Sequence, residues 1–356
     1  MINAGVHCRR MALAGALTVS CVVGWYTSAF GGSDNSSDTY AGDVNGLALP
    51  EGTVLAIEYL GYRHSDQYIT TPSNIFAKLG GAHAIDSTGE IYTEISRLSY
   101  FSRLMGQPLV IEAAFTDVNI KDVNIGNLPA PIGGFGPQTI AHGFIDPVIF
   151  VTYGLIADPR GERFLGLTNY IYLPGGGYDN FKQVNATLPH QYTWVPQLAY
   201  AEGLGKFAPG LRNFWFDLIV NASLHSSGES PLALAPGVQF DRMTQGNSYD
   251  LKAFLRYDYM QGGHVALGIE KSWGGNQVAS GGLLQTIFGG PTSLGMDDFL
   301  KGHVQASYAI TKDFHVSADV THDFEREGGL KEDVTAEIRF TKFFLPQAQA
   351  QAQPLK

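Results

Sequence analysis

The fold of this chain is indicated by residues 249–272, YDLKAFLRYDYMQGGHVALGIEKS. From Tyr249 onward the odd positions are apolar or aromatic, and the even positions are mostly charged. Gly262 and Gly263 follow and supply the positive φ that a tight hairpin needs, after which the alternation resumes. Each arm is about 10 residues long, the length that a tilted strand needs to cross a bilayer. The stretch therefore predicts a membrane-length β-hairpin with one apolar face.

The same alternation recurs along the chain and predicts about 12 strands. They are 53–63, 90–103, 109–118, 144–156, 164–173, 191–202, 214–225, the two hairpin arms, 303–310, 315–323 and 334–344. Connectors after the even-numbered strands are short, and most of those after the odd-numbered strands are long. This pattern is typical of outer-membrane barrels, which must close because hydrocarbon cannot satisfy a sheet edge. We predict an all-β fold: a closed antiparallel up-and-down transmembrane β-barrel over 51–344, with short periplasmic turns and long extracellular loops.

The composition supports a barrel over a helix bundle. Only 16% of residues are charged, 12% are aromatic and 43 are Gly, and after the first residues there is no apolar run long enough for a transmembrane helix. The net charge of −10 argues against nucleic-acid binding. A soluble secreted β-sandwich could show the same alternation, and it stays open as an alternative.

The first residues have the pattern of a secretory signal peptide, which we expect over 1–29. Arg9 and Arg10 precede an apolar stretch, and small residues at 27–29 offer a cleavage point. Cleavage would remove Cys8 and Cys21, so the mature chain would hold no disulfide and no thiolate metal site. We therefore expect the cell outer membrane of a Gram-negative bacterium as the location.

Two segments flank the predicted barrel. Residues 30–50 are rich in Gly, Ser, Asp and Asn, which predicts a flexible N-terminal segment. Residues 345–356 form a Gln/Ala-rich C-terminal tail. This tail departs from the usual barrel ending, so Phe344 is the candidate assembly signal for the barrel assembly machinery.

Three short motifs resemble a known family: GFIDP at 143–147, YLPGGGYD at 172–179, and SYAI at 307–310 together with His322-Asp323. The resemblance is to the outer-membrane proteins grouped as the "MetA-pathway of phenol degradation" family, or SphA-like transporter family. It spans most of the mature chain. The resemblance implies an outer-membrane barrel and a channel for small organic molecules, and it carries over no catalytic residues.

The faces opposite the apolar ones would point into the barrel lumen. The lumen-lining candidates are Asp217, Asn221, His225, Asp250, Lys252, Arg256, Asp258, Glu270, Gln305, Asp319, Glu337 and Arg339. Their opposite charges would form cross-strand ion pairs that stiffen and fill the interior. Alternatively, they would line a polar translocation path and set its selectivity.

Aromatic residues near the strand ends are candidates for anchors at the membrane interfaces, namely Tyr257, Tyr259, Trp273 and Tyr308. The Pro/Gly-rich segment 128–137 would either fold into the barrel mouth and meet a hydrophobic solute or form an extracellular turn. The expected partners are outer-membrane lipid, the barrel assembly machinery and a small hydrophobic or aromatic solute, with no nucleic acid.

The sequence thus predicts an outer-membrane channel or transporter, and the family resemblance implies that its solutes are small organic molecules. A structural, non-conducting barrel is the alternative. A barrel-embedded hydrolase is a further alternative, since 225–227 and 321–323 hold Ser, His and Asp. Neighbouring residues on a strand point to opposite faces, however, so adjacency does not make a triad. His303, His315 and His322 are dispersed. We predict no enzyme activity, no metal and no cofactor.

Overall fold

The computed structural model describes most of the chain. The described residues are 40–71, 84–125, 139–175, 190–229, 233–235, 238–239, 241–260, 262–296 and 298–346. The predicted signal peptide 1–29 and the Pro/Gly-rich segment 128–137 lie outside the described residues, as does the tail beyond residue 346.

Eighteen strands are present in the described residues. They are β1 (Val54–Ile69), β2 (Ala84–Leu104), β3 (Gln107–Ile125), β4 (Thr139–Phe144), β5 (Val148–Asp158), β6 (Arg163–Tyr172), β7 (Thr193–Gly203), β8 (Phe214–His225), β9 (Ala233–Ala235), β10 (Val238–Gln239), β11 (Arg242–Gln245), β12 (Ser248–Met260), β13 (Gly263–Gly274), β14 (Gln277–Ser280), β15 (Thr292–Gly295), β16 (Asp298–Thr311), β17 (Phe314–Glu327) and β18 (Gly329–Phe344). An α-helix, α1, spans Gly282–Phe288, and short 3-10 helices span Asp43–Ala48, Leu204–Lys206 and Pro209–Leu211.

The large sheet closes into an antiparallel barrel, as the sequence predicts. Strand β1 pairs with both β2 and β18, and β2 pairs with β3. The order then runs β18, β17, β16, β13, β12, β8, β7, β6 and β5 back to β3. Strands β4 and β5 share one position beside β3, on either side of the break at Pro147, which has no N–H for the ladder. The barrel therefore has 12 strand positions.

The outer face of the barrel is apolar. In β12, Leu255 is 50% exposed whereas the next residue, Arg256, is 4% exposed and points inward. Other strands likewise carry exposed Leu, Ile, Val and aromatic residues, including Leu98, Phe115, Leu267 and Val304. A soluble protein rarely exposes such a continuous apolar surface, so this face suits lipid and argues against the soluble sandwich.

The two rims differ as the connector lengths predict. At the short-turn rim, Met105 and Gly106 have φ of 53° and 83° and form a two-residue hairpin turn between β2 and β3. At the long-loop rim, β11, β14 and β15 form a small separate sheet next to α1. Val54 pairs with Phe344, which places both ends of the barrel at the short-turn rim. No helix in the described part of the chain is long and apolar enough to span a membrane.

The N-terminal segment differs from the flexible lead-in that the sequence predicts over 30–50. Its described part, from residue 40, turns into the barrel, where Asp43–Ala48 forms a 3-10 helix. Tyr40 and Ala41 are each 1% exposed. The physical reason is that the barrel interior offers both apolar and charged partners to this short sequence. We call residues 40–49 the plug.

Candidate functional site

The plug is anchored to the charged side of the lumen by its first residues. Nη1 of Arg339 donates to both carboxylate oxygens of Asp43, at 2.7 and 2.8 Å. The Tyr40 hydroxyl donates to Glu337 at 2.9 Å, and the Ala41 backbone N–H donates to the Gln305 side chain, also at 2.9 Å. The Arg339 guanidinium also lies 4.1 Å from the Tyr40 ring centroid. Three barrel side chains therefore hold one end of the plug.

The other side of the plug packs on an apolar wall. Leu47 is buried in a cluster with inward side chains of β1, β2, β3, β5, β6 and β7, and Val44 and Leu49 pack against the same cluster. In this wall the rings of Phe150 and Tyr170 stack with their centroids 4.7 Å apart. The wall includes Leu55, Ile57, Tyr59, Ile95, Phe101, Val110, Ala114, Val148, Phe164, Tyr172 and Val195. One half of the lumen is thus apolar, and the half from β8 to β18 is mostly polar.

A cavity of about 410 Å³ lies beside the plug. It touches both halves of the lumen, and its lining includes Leu55, Phe101 and Tyr170 on the apolar side and His264, His315 and Arg339 on the polar side. Arg97 and Arg256 also line it. A volume of this size lies within the range of small-molecule sites, about 300–1,000 Å³.

The other two guanidiniums at the cavity are paired with wall carboxylates. Arg97 Nη2 donates to Glu112 at 2.6 Å, and the Arg97 guanidinium lies 4.7 Å from the Phe150 ring centroid. Arg256 lies 3.3 Å from Asp217 and sits over Trp215. Burying an unpaired charge is costly, so these pairs allow charges inside the barrel. Arg97, on β2, and Glu112, on β3, are not among the lumen-lining candidates predicted from the sequence.

Deeper in the lumen, His303 bridges two carboxylates. Its Nε2 lies 3.0 Å from Glu270, and its Nδ1 lies 3.0 Å from Asp319. Gln305 donates to the same Asp319 oxygen at 3.1 Å and accepts from the plug through Ala41. A chain of hydrogen bonds therefore connects this buried cluster to the plug.

A further ionic cluster lies towards the long-loop rim. Lys301 Nζ is 3.0 Å from Glu332 and 3.9 Å from Asp323, and Arg326 lies 3.2 Å from Asp323. Arg63 also reaches Glu332, at 3.3 Å. The sequence did not indicate this cluster, since β16, β17 and β18 extend beyond their predicted ends at this rim. Where strands extend beyond the membrane, their outward side chains need not be apolar, so the alternation of apolar and polar residues weakens.

The sequence-predicted lumen residues all lie on inward faces. Nine are at most 9% exposed: Asp217, Asn221, Asp250, Lys252, Arg256, Glu270, Gln305, Asp319 and Arg339. His225, Asp258 and Glu337 are half-buried. Ion pairs of the predicted kind are present, for example Lys252 with Glu270 at 3.3 Å.

The predicted interface aromatics point outward at the two rims. Tyr257, Tyr259 and Tyr308 lie near the short-turn rim, and Trp273 lies near the long-loop rim; each is 37–52% exposed. The Tyr259 hydroxyl donates to the Ser307 carbonyl at 2.8 Å. Phe344 is also exposed, at the end of β18. Its role in assembly stays a prediction.

The described residues contain no Ser-His-Asp arrangement at the two segments considered in the sequence. The Ser226 hydroxyl accepts from the Tyr192 N–H, whereas His225 Nδ1 lies 3.0 Å from Thr193. Nor do the described residues contain three or more His, Cys, Asp or Glu side chains arranged so that they could hold a metal ion. These segments are parts of the polar wall and rim.

No protein-family model and no curated protein matches the sequence. The COG4313 outer membrane channel from Pseudomonas putida F1 is similar in structure, with a TM-score of 0.66 and 20% identity over 86% of this chain and 100% of that chain. The KdgM porin (TM-score 0.38, 8% identity, 81% and 99% covered) and a TodX monoaromatic hydrocarbon channel mutant (0.42, 10%, 86% and 95%) are too distant to support an argument.

These comparisons do not confirm the specific family that the sequence motifs resemble. Together with the closed sheet and the apolar outer face, the first of them shows the fold. The chain is a 12-stranded β-barrel of the outer-membrane type.

Proposed function

We propose that the protein is an outer-membrane channel for small organic solutes, closed by its own N-terminal segment. The observation that carries this proposal is the position of the plug, which lies in the lumen and is held there by side-chain contacts. The plug is short and is not part of the barrel sheet, so it can leave the lumen without breaking any strand pairing. Movement of residues 40–49 would join the cavity to the short-turn rim and open a path.

The chemistry of the lumen supports a small organic solute. An apolar wall with stacked rings faces a wall of charged and amide side chains. Sites for small organic ligands commonly combine a mostly apolar surface with a few polar groups that fix orientation. Aromatic or hydrophobic molecules that carry a polar group fit this division.

The outer face supports the location and partners that the sequence predicts. Its apolar belt and rim aromatics suit outer-membrane lipid, and a barrel of this kind needs assembly machinery for insertion. We propose no enzyme activity, in line with the prediction from the sequence. The competing function is a structural barrel that transports nothing.

The test is conductance of the refolded full-length mature protein in planar bilayers, together with entry of benzyl alcohol into protein-containing liposomes. Refolding is first checked by gel electrophoresis, in which the folded barrel resists the detergent unless the sample is heated. The proposal predicts discrete opening events and faster solute entry than in protein-free liposomes. A folded protein that gives neither would identify the structural barrel instead.

Charge reversal provides a second measurement. Arg256→Glu changes the charge of a cavity-lining side chain, and Arg160→Glu makes the same change in the exposed turn between β5 and β6. If the lumen conducts ions, the first variant shifts the anion-to-cation preference and the second leaves it unchanged. Equal preference in both variants and the wild type would contradict conduction through this cavity.

A further inference from the structure

We infer that the solute is a small carboxylate with an apolar body, which binds Arg339 in the place that Asp43 occupies in the closed barrel. This inference rests on the proposed function and adds the chemical class of the solute. It comes from the contacts that the plug makes within the lumen.

The plug carries an anionic side chain and an apolar side chain about one helical turn apart. The Asp43 carboxylate takes two hydrogen bonds from Arg339, and Leu47 lies in the apolar cluster across from it. The plug therefore presents an anionic group and an apolar group to the same region of the lumen. A solute that replaced both would combine a carboxylate with a hydrocarbon body.

Departure of the plug would leave Arg339 without its carboxylate and without the Tyr40 ring. A buried guanidinium that loses its anion is unfavourable, and the planar guanidinium matches a carboxylate well. An anionic solute would thus stabilise the open barrel, because a ligand favours the state that it binds more tightly. A neutral hydrocarbon would contact the apolar wall but would leave the Arg339 guanidinium without an anion.

The cavity beside the plug already combines cationic side chains with an apolar wall. Arg97, Arg256 and Arg339 line it, and the lining carboxylates are Glu112 and the plug's own Asp43. With the plug displaced, Arg97 keeps Glu112 and Arg256 keeps Asp217, whereas Arg339 loses Asp43. Among the described residues, Nε of Arg339 and Nη2 of Arg256 have no hydrogen-bond partner although both are buried. These N–H groups are donors for an incoming carboxylate.

Two probes with the same ring separate charge from hydrophobicity: benzoate and benzyl alcohol. Their binding to the folded full-length mature protein in detergent is measured by calorimetry. We expect benzoate to bind more tightly than benzyl alcohol. Asp43→Asn removes the internal competitor and should tighten benzoate binding about ten- to a hundredfold, the range for charge-assisted hydrogen bonds. Arg339→Gln should remove the preference for benzoate.

Arg160→Gln, in the exposed turn between β5 and β6, is the matched control and should change neither affinity. Arg339→Lys keeps the charge but not the forked geometry, so it should retain part of the preference if Arg339→Gln fails to fold. Equal affinities for the two probes, or unchanged benzoate binding in Asp43→Asn, would overturn the inference. A protein that conducts without preferring benzoate overturns this inference alone, whereas one that never conducts overturns the proposed function as well.

Discussion

Removal of the Asp43 carboxylate should open the barrel. In the closed state this group accepts two hydrogen bonds from Arg339, whose side chain is 11% exposed, while that of Asp43 is 25% exposed. Hydrogen bonds to charged groups contribute about 1.5–3 kcal/mol, and this amount is lost each time the plug leaves. Asp43→Asn removes the carboxylate from the plug. The free energy of its ionic hydrogen bonds with Arg339 is then no longer lost when the channel opens. The ratio of closed to open channels should fall by about ten- to a hundredfold.

The assay is the open probability of single channels in planar bilayers at fixed voltage and salt. Asp313→Asn is the matched control, because Asp313 pairs with Lys342 at a turn of the short-turn rim, away from the plug contacts. The hydrogen bond from Lys342 lowers the pKa of Asp313 to about 2, so the control removes an ionised carboxylate as well. Asp43→Asn channels with the open probability of the wild type and the control would refute the role of this pair.

Three further predictions address the apolar contacts and the ends of the barrel. Leu47→Ala removes a buried side chain from the plug and should weaken its docking by about 2–5 kcal/mol, seen as a higher open probability. Leu267→Arg places a charge on the outer face and should lower the free energy of unfolding in lipid vesicles by about 2–4 kcal/mol, measured by denaturant titration. Leu267→Ile is its control, and an equal loss of stability in both variants would contradict the lipid contact. Deletion of 345–356 should leave membrane insertion intact, because β18 ends at Phe344; loss of heat-resistant folded protein from the membrane would count against Phe344 as the assembly signal.

The barrel could be predicted from the sequence because its physical causes are local. Alternation with a period of two fixes which side chains face lipid, as Leu255 and Arg256 illustrate. Turn residues such as Gly106 and Gly262 mark the short rim. The break between β4 and β5 falls at Pro147, which has no N–H to donate to the neighbouring strand.

The plug could not be predicted because its partners are remote in sequence. Asp43 and Arg339 are 296 residues apart, and Tyr40 and Glu337 are 297 apart. The Gly- and Asp-rich composition around residue 43 is typical of a flexible segment, and the short run of apolar residues within it is a weak signal. Val44 and Leu47 lie three apart on one face, which is the pattern that could have indicated a docked turn.

A reversible cross-link between the plug and the barrel wall tests whether the plug must move for the channel to open. A side chain at Gly166 on β6 would place its Cβ 3.5 Å from Val44 Cγ2, so Val44→Cys with Gly166→Cys should form a disulfide between plug and wall. The native cysteines Cys8 and Cys21 lie within the predicted signal peptide, and the Val44→Cys single variant controls for the substitution.

The decisive measurement is the conductance of this double variant in planar bilayers before and after reduction. We expect the oxidised protein to stay closed and reduction to restore the openings of the single variant. Equal conductance in the oxidised and reduced protein, with the disulfide verified by mass, would contradict a plug that must move for the channel to open.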